Sequence, residues 1–116
     1  MELLIAILTK VECLSPILTR MVEAGVTGGT VLDSQGMMTV LGKDDVEPPP
    51  IFGSLRQFMN PERESSKTIL VVLPHEQVKI ARDIIDEEVG GLQNHNTAIL
   101  FTLPLDYVEG TAPSKR

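Results

Sequence analysis

The residues best suited to bind a ligand lie in a short segment rich in glycine and threonine, from Gly25 to Val31. Glycine has no side chain and adopts conformations that other residues avoid, so a bound molecule can approach the main-chain amides there. Gly36 follows closely and opens a long stretch with neither helix nor strand periodicity. We therefore predict a ligand-binding turn at the root of a long loop, with Thr27, Gly28 and Gly29 at its centre.

A second polar turn follows the diglycine Gly90-Gly91. Its side chains offer hydrogen-bond donors and acceptors, and they belong to Asn94, His95, Asn96 and Thr97. Turn formation is the simpler interpretation of such residues, because Asn and Gly supply the conformations that tight turns require. A ligand-binding loop is the alternative.

Other chemical motifs are incomplete. His75-Glu76 begins like a zinc-protease motif, but Lys79 occupies the position of the second histidine. Gly42-Lys43 lacks the earlier glycine and the Ser/Thr of a phosphate-binding P-loop. The carboxylates Asp44, Asp45 and Glu47 lie beside a proline run, where such groups more commonly keep a loop hydrated than bind a cation. Because no nucleophile lies at a recognisable spacing from a base either, we predict a protein with no catalytic residue and no metal site.

Composition narrows the class of protein. The chain has 116 residues and a formal net charge of -6, which suits one domain and disfavours nucleic-acid binding, since that requires a basic surface. The longest apolar run, Leu3 to Leu8, is far shorter than the roughly 18 residues of a membrane span. Cys13 is the single cysteine, so no disulfide framework is expected. We expect a cytoplasmic protein.

The elements that position these residues alternate between strand and helix. Hydrophobic patterns predict strands at Leu3–Leu8, Thr30–Ser34, Thr68–Leu73 and Thr97–Leu103. A first helix, N-capped by Ser15, ends at Gly25, and a second spans Glu76–Val89. The order βαββαβ predicts an α+β, ferredoxin-like fold: a four-stranded antiparallel sheet with two helices on one face and a long loop between strands 2 and 3. Residues 1–110 form this single domain, 37–66 the loop insertion, and 111–116 a flexible tail.

The predicted fold leaves apolar surface uncovered. The first, third and fourth strands carry apolar residues toward both sides of the sheet, whereas two helices cover only one side. A large exposed apolar face marks an interaction surface. We therefore predict a homo-oligomer that buries this face between subunits.

The long loop is also expected to have a function. Structureless loops longer than about 12 to 15 residues are uncommon in compact domains and are usually functional or disordered. A stiff proline run is followed here by apolar residues that do not suit a simple linker. We predict that the loop docks onto a partner protein, with local packing of 55–59 as a short helix as the alternative. The predicted partner-binding residues are Pro48, Pro49, Pro50, Ile51, Phe52, Leu55, Arg56, Phe58 and Met59.

Element order and loop placement, from Glu2 to about Gly110, resemble those of the PII nitrogen-regulatory signalling proteins and their PII-like relatives. The most specific segment is Gly25 to Val31 with the later Gly36, which is similar to the family's Gly-x-Thr-Gly-x-Thr-Val followed by the glycine that starts its T-loop. The resemblance implies a homotrimer that binds an adenine nucleotide in clefts between subunits. It also implies a T-loop that changes shape with the ligand and docks onto enzymes, transporters or transcription factors.

The resemblance assigns positions to the ligand. Thr27 and Gly28 would lie beside the adenine, and Gly36, Met37 and Met38 near the phosphates. The turn after the second helix would correspond to the family's B-loop. The candidate ligand-binding residues are thus Thr27, Gly28, Gly29, Gly36, Met37, Met38, Gly90, Gly91, Asn94, His95, Asn96 and Thr97.

The chain departs from the family where phosphates bind. It has Asn94 to Thr97 in place of the Gly-Asp-Gly-Lys stretch, and Leu105 to Glu109 in place of an Arg-x-Arg pair. The two carboxylates of the latter segment would repel a triphosphate. The loop lacks the tyrosine that some PII proteins nucleotidylate, and Met37-Met38 lacks the glutamine that helps to hold 2-oxoglutarate and Mg²⁺. These departures argue against ATP and favour a less charged ligand such as a mononucleotide, or the loss of nucleotide binding.

The sequence thus predicts a PII-like regulatory protein, linked to nitrogen or carbon metabolism, that senses a small effector and controls a partner through its loop. Arg56, Arg63 and Lys67 would supply compensating charge if the loop folds back. Two alternatives remain open. One is a small-metabolite sensor of the amino-acid-binding kind that uses the Gly28-Gly29 amides without a nucleotide, and the other is a trimer that resembles divalent-metal-tolerance proteins.

Overall fold

The computed structural model describes residues 1–43 and 65–110. The secondary structure comprises β1 (Glu2–Leu8), a 3₁₀ turn (Val11–Cys13), α1 (Leu14–Glu23), β2 (Gly29–Ser34), α2 (Met37–Lys43), β3 (Ser66–Leu73), α3 (His75–Val89) and β4 (Ala98–Pro104). The predicted partner-binding residues from Pro48 to Met59 and the predicted tail 111–116 lie outside the described residues.

The strands form one antiparallel sheet, in the order β2-β3-β1-β4 within the described residues. Residues of β1 pair with both neighbours, so that Leu4 lies opposite Val71 on one side and Thr102 on the other. At the β2 edge, Gly29 pairs with Val71 and Ser34 with Ser66. This architecture is α+β and compatible with a ferredoxin-like fold, which confirms the predicted fold class.

One face of the sheet carries the core. Alternate residues of β1 and β3 are buried against α1 and α3, because side chains alternate between the two faces of a strand. The helices contribute apolar residues at helical spacing. The core side chains with almost no exposure include Leu4, Leu8, Ile69, Val71, Leu73, Ile17, Met21, Ala81, Ile85 and Val89.

Polar contacts join the two main helices along one side. Arg20 of α1 donates hydrogen bonds to Glu87 (2.8 Å) and Glu88 (3.2 Å) near the end of α3. These two carboxylates raise the pKa of the Arg20 guanidinium, the contact with Glu87 being the larger cause. The Cys13 thiol donates to the carbonyl oxygen of Glu88 at 3.2 Å. Arg20 of α1, together with Cys13 in the 3₁₀ turn that precedes α1, therefore holds the C-terminal turn of α3 in place.

Two local predictions were wrong. Ser15 does not cap the first helix; α1 begins at Leu14, with Cys13 in the capping position and no side-chain cap, because the 3₁₀ turn leads directly into the helix. The stretch after Gly36 is not structureless from its start, since Met37–Lys43 is helical and the Val40 amide donates to the Gly36 carbonyl at 3.0 Å. Met and Leu are strong helix formers and favour this helix.

The opposite face of the sheet is apolar and open, as the sequence predicts. The exposed fractions are 64% for Ile99, 42% for Phe101 and 47% for Leu103 on β4. Their register partners Ile7, Ile5 and Leu3 on β1 are only half-buried. The described part of the chain therefore leaves a continuous aliphatic and aromatic surface on the side of the sheet away from α1 and α3.

Candidate functional site

The Gly/Thr segment forms the turn between α1 and β2. Gly25 has a φ of 88°, a left-handed conformation that favours glycine and ends the helix. Val26 is 4% exposed, and its amide donates to the Met21 carbonyl at 2.8 Å, so the turn is anchored in the core. Thr27 and Gly28, by contrast, are exposed. Thr27 and Gly28 are therefore accessible to solvent, while Val26 fixes the turn to the core.

The two glycines after Thr27 have different neighbours. A Cβ added at Gly28 would lie 3.8 Å from the Val72 carbonyl oxygen, whereas a Cβ at Gly29 would lie 3.5 Å from Val71 Cγ2 on the helix-bearing side. Both distances are ordinary contacts, and neither residue has a left-handed backbone. Neither the main chain nor the described neighbours require glycine at these two positions.

A second group of candidates lies at the far end of β2, where the long loop begins. Met37 is 77% exposed and Met38 is half-buried at the start of α2. A hollow of about 520 Å³ opens along the ends of β2 and β3. Its lining is Asp33, Ser34, Gln35, Ser65 and Lys67. The loop therefore starts next to an open polar hollow.

Three hydroxyl groups form a cluster at this end of the sheet. Ser34 Oγ lies 2.7 Å from Ser66 Oγ and 2.8 Å from Thr68 Oγ1, and Ser66 is 8% exposed. This cluster is not evident from the sequence alone. The alternation of Ser66 and Thr68 along β3 is a signal for it, but the partner strand and its register were needed to bring Ser34 into contact.

Hydrogen bonds among its own polar groups stabilise the turn 90–97. Asn94 Nδ2 donates to the Gly90 carbonyl at 2.7 Å, and the Thr97 hydroxyl donates to the Asn94 carbonyl at 2.9 Å. Asn96 has a φ of 57°, and Gly91 has a φ of 113°. Asn94 and Thr97 therefore form the turn, as the simpler interpretation proposed, while His95 and Asn96 remain exposed.

The ammonium group of Lys10 lies at the base of this turn, although the turn itself contains no Lys or Arg. Lys10 Nζ donates to the Val89 carbonyl at 3.0 Å and lies 3.6 Å from the position of a Cβ on Gly90. The charge faces the C-terminal carbonyls of α3, where the helix dipole favours a cation. The position of Lys10 is not evident from the sequence, because Lys10 and Val89 are brought together by the pairing of β1 with β4.

We expect Gly91→Ala to destabilise the protein by about 1 to 3 kcal/mol, the usual cost of a left-handed backbone at a residue with a side chain. The new Cβ would also lie 2.9 Å from Asn94 Nδ2 and so press on the turn. Urea unfolding measures the loss. Gly28→Ala is the matched control and should be neutral, or stabilising by up to about 1 kcal/mol, because its conformation suits alanine. Equal stability of the two variants would show that a side chain at the left-handed backbone of Gly91 causes no strain.

The candidate residues form three groups that do not meet within one chain. Thr27 to Gly29 lie at the start of β2 and Gly36 to Met38 follow its end, and the six-residue strand spans about 17 Å. The turn 90–97 lies at the same end of the sheet as Gly36, because Leu8 pairs with both Lys67 and Ala98. It lies at the opposite edge, however, three strand spacings or about 14 Å away. A site that combined these groups would have to form between copies of the chain.

Electrostatic pairing is found at the other end of the sheet. Glu2 and His75 Nδ1 are in hydrogen-bonding contact, and this contact is the main cause that lowers the pKa of the Glu2 carboxyl below its usual 4.5. Thr102 adds a smaller effect in the same direction. The first residue of β1 is thereby tied to the first residue of α3.

This pairing predicts an acid-sensitive contribution to stability. A lowered pKa in the folded state stabilises the fold above the unfolded pKa, and the stabilisation is lost as pH falls through the folded value. We expect thermal melts of the wild type to lose this contribution below about pH 4.5. His75→Ala should fall less steeply with pH, whereas His95→Ala, at an exposed turn, should follow the wild type. Parallel curves for all three proteins would contradict the role of His75.

Neither a metal-binding group of side chains nor a membrane-spanning helix is found among the described residues. None of them forms a group of three or more His, Cys, Asp or Glu side chains able to hold a metal ion. Among the described helices, none has both the length and the apolar character needed to cross a bilayer.

Comparison with known proteins identifies similarity at the level of architecture. No protein-family model matches the chain, and no curated protein matches it. A solved structure, that of a functionally unknown protein from Pediococcus pentosaceus ATCC 25745, aligns with a TM-score of 0.62 over 95% of this chain and 96% of that one. The two sequences are 15% identical. The shared feature is the fold.

Proposed function

We propose that the protein is a PII-like, non-enzymatic regulator in the cytoplasm, linked to nitrogen or carbon metabolism. It senses a small effector in clefts between identical subunits and controls a partner protein through the loop 37–66. The observation that carries this proposal is the distribution of the candidate residues. They lie at opposite edges of one sheet, so the site is complete only when the β2 edge of one copy approaches the β4 edge of another.

The open sheet face supports the required assembly. Its exposed residues on β4 and the half-buried residues of β1 form an apolar surface that is unusual for a monomer. Burial of this surface between copies would release water from apolar area, the dominant favourable term in association. A trimer is the assembly implied by the family resemblance and the one we propose.

The charges near the candidate residues support an effector of low charge. Lys10 is engaged with the end of α3, and the 90–97 turn contains no cationic side chain. Asp106 and Glu109 are exposed after β4, and the chain is acidic overall. We therefore propose an adenine mononucleotide rather than ATP as the effector. The hydroxyls of Ser34, Ser66 and Thr68 would suit the many oxygen atoms of a ribose.

A ligand screen read by melting temperature tests the proposal. A ligand at 100 times its Kd stabilises the folded state by about 2.7 kcal/mol, which raises the Tm of a domain of this size by several degrees. We expect such a rise with AMP and a smaller one with ATP. Cyclic dinucleotides, ADP and 2-oxoglutarate complete the panel, and light scattering in parallel measures the mass.

Each competing outcome selects another function. Stabilisation by amino acids alone would favour the small-metabolite sensor, and stabilisation by Cu²⁺ or Zn²⁺ alone would favour the metal-tolerance type of trimer. A stable monomer, with a mass of 12.7 kDa in solution, would overturn the proposed function, because the candidate residues would then stay apart.

A further inference from the structure

An apolar groove lies on the helix-bearing side of the sheet, between the C-terminal half of α1 and the edge formed by β2 and β3. Its volume is about 190 Å³. The lining comes from α1, the following turn and both strands, and it includes Met21, Val22, Thr27, Gly29, Ile69 and Val71. The floor is rigid, because Met21, Val26, Ile69 and Val71 are buried in the core.

The lining determines which molecules the groove accepts. Thr27 has the single polar side chain in it, and none of the lining side chains is charged. A charged ligand would lose hydration there without gaining a partner. Dry apolar cavities of about 150 Å³ hold one benzene ring. The groove therefore suits an uncharged molecule with one ring, or a branched hydrocarbon of similar size, and one polar group.

Gly29 keeps the groove open. A Cβ at this position would lie 3.5 Å from Val71 Cγ2 and 3.9 Å from Ile69 Cγ2, so any larger side chain would project into the space. Glycine weakens a strand and is not required here by the backbone. Gly29 is the first residue of β2, and glycine in a strand often marks a place where a ligand approaches closely. The strand therefore begins with a residue that leaves the groove open where a larger side chain would project into it.

We propose that this groove binds a small uncharged molecule with an apolar ring, whose polar group faces the Thr27 hydroxyl. A second copy of the chain fits less well, because a stable protein interface needs about 800 Å² from each partner, far more than one such groove provides. This site shares Thr27 and Gly29 with the effector clefts proposed above. Those combine the ends of β2 with the 90–97 turn, whereas the groove is complete within one chain.

Methyl NMR of the full chain with indole as the probe tests the site. Indole is uncharged, has one ring system and carries one N–H that can donate to a hydroxyl. We expect saturable shifts at Met21, Ile69 and Val71, with binding about tenfold or more weaker in Gly29→Val because the valine fills the groove. Benzoate, a charged ring of similar size, should also bind about tenfold or more weakly than indole.

The matched control is Thr30→Val, the next residue along β2. Thr30 points to the open face, and the substitution adds no volume, so indole affinity should stay within about twofold of the wild type. If Gly29→Val does not fold, Val22→Phe replaces it; Val22 is 59% exposed at the rim, and phenylalanine there should block entry to the same extent.

Four results would overturn the inference. Indole shifts could be absent or fail to saturate, both groove variants could bind indole as the wild type does, or shifts could appear at Ile5 and Ile99 on the open face. Groove signals that move with protein concentration in the absence of indole would instead assign the groove to a second copy. None of these results depends on nucleotide binding or on trimer formation, so the groove and the proposed function fail separately.

Discussion

Phe101→Glu should convert the proposed trimer to a monomer. Phe101 lies on β4 opposite Ile5, near the middle of the open face, and a carboxylate there would be buried without a partner on association. An uncompensated buried charge costs about 3 to 5 kcal/mol, enough to shift dissociation by two orders of magnitude or more. Light scattering coupled to size exclusion, at several protein concentrations, measures the change in mass.

The control for this experiment lies on the other side of the molecule. Ile80 on α3 is 43% exposed, almost the same as the 42% of Phe101. Ile80→Glu therefore introduces the same charge at an equally exposed apolar residue, but outside the proposed interface. It should leave the mass unchanged. Dissociation by both variants, or by neither, would show that the open face is not the surface that joins the subunits.

Ile85→Ala should destabilise the fold by about 2 to 5 kcal/mol, the range for removing a buried aliphatic side chain. Ile85 has no exposed surface and packs between α3 and the sheet. The loss combines the transfer free energy of the deleted carbons with the cavity they leave. Urea unfolding at a fixed protein concentration measures it, since association contributes to apparent stability.

Ile80→Ala is the matched control, with the same residue type on the same helix. Its side chain is largely exposed, and we expect a change within about 0.5 kcal/mol. A loss as large as that of Ile85→Ala would mean that Ile80 is covered, which would place an additional interface on α3. The pair thus tests both the core and the assumption that this side of the helix faces water.

The strands and the longer helix were predictable because their patterns are strong. The β1 and β3 segments are runs of aliphatic residues, and α3 repeats apolar residues from Val78 to Val89 at helical spacing. The start of α1 was not predictable. Ser15 is a favourable N-cap residue in the sequence, but the 3₁₀ turn continues directly into a helix that already begins at Leu14. Met37–Lys43 is too short for periodicity to reveal a helix in the sequence.

The candidate site was predictable only in part. Local composition identified the glycine turns, since each depends on residues close together in the chain. It could not show that Gly29 faces the helix-bearing side, because this depends on its alignment with Val71. The Ser34 and Ser66 hydroxyls are 32 positions apart, and Lys10 and Val89 are 79 apart. Such contacts follow from strand pairing, which composition does not specify.

The contacts of residues 10–13 with α3 have a mechanical consequence. Lys10 and Cys13 each donate a hydrogen bond to one of the last carbonyls of α3, and Arg20 of α1 pairs with carboxylates of the same turn. The 90–97 turn therefore cannot shift relative to the end of β1 without loosening the segment from which α1 begins. Because α1 ends at the Gly25 turn, a displacement at one edge of the sheet has a covalent and hydrogen-bonded route to the other. α1 would therefore transmit a displacement between the Gly25 turn and the 90–97 turn, which lie at opposite edges of the sheet.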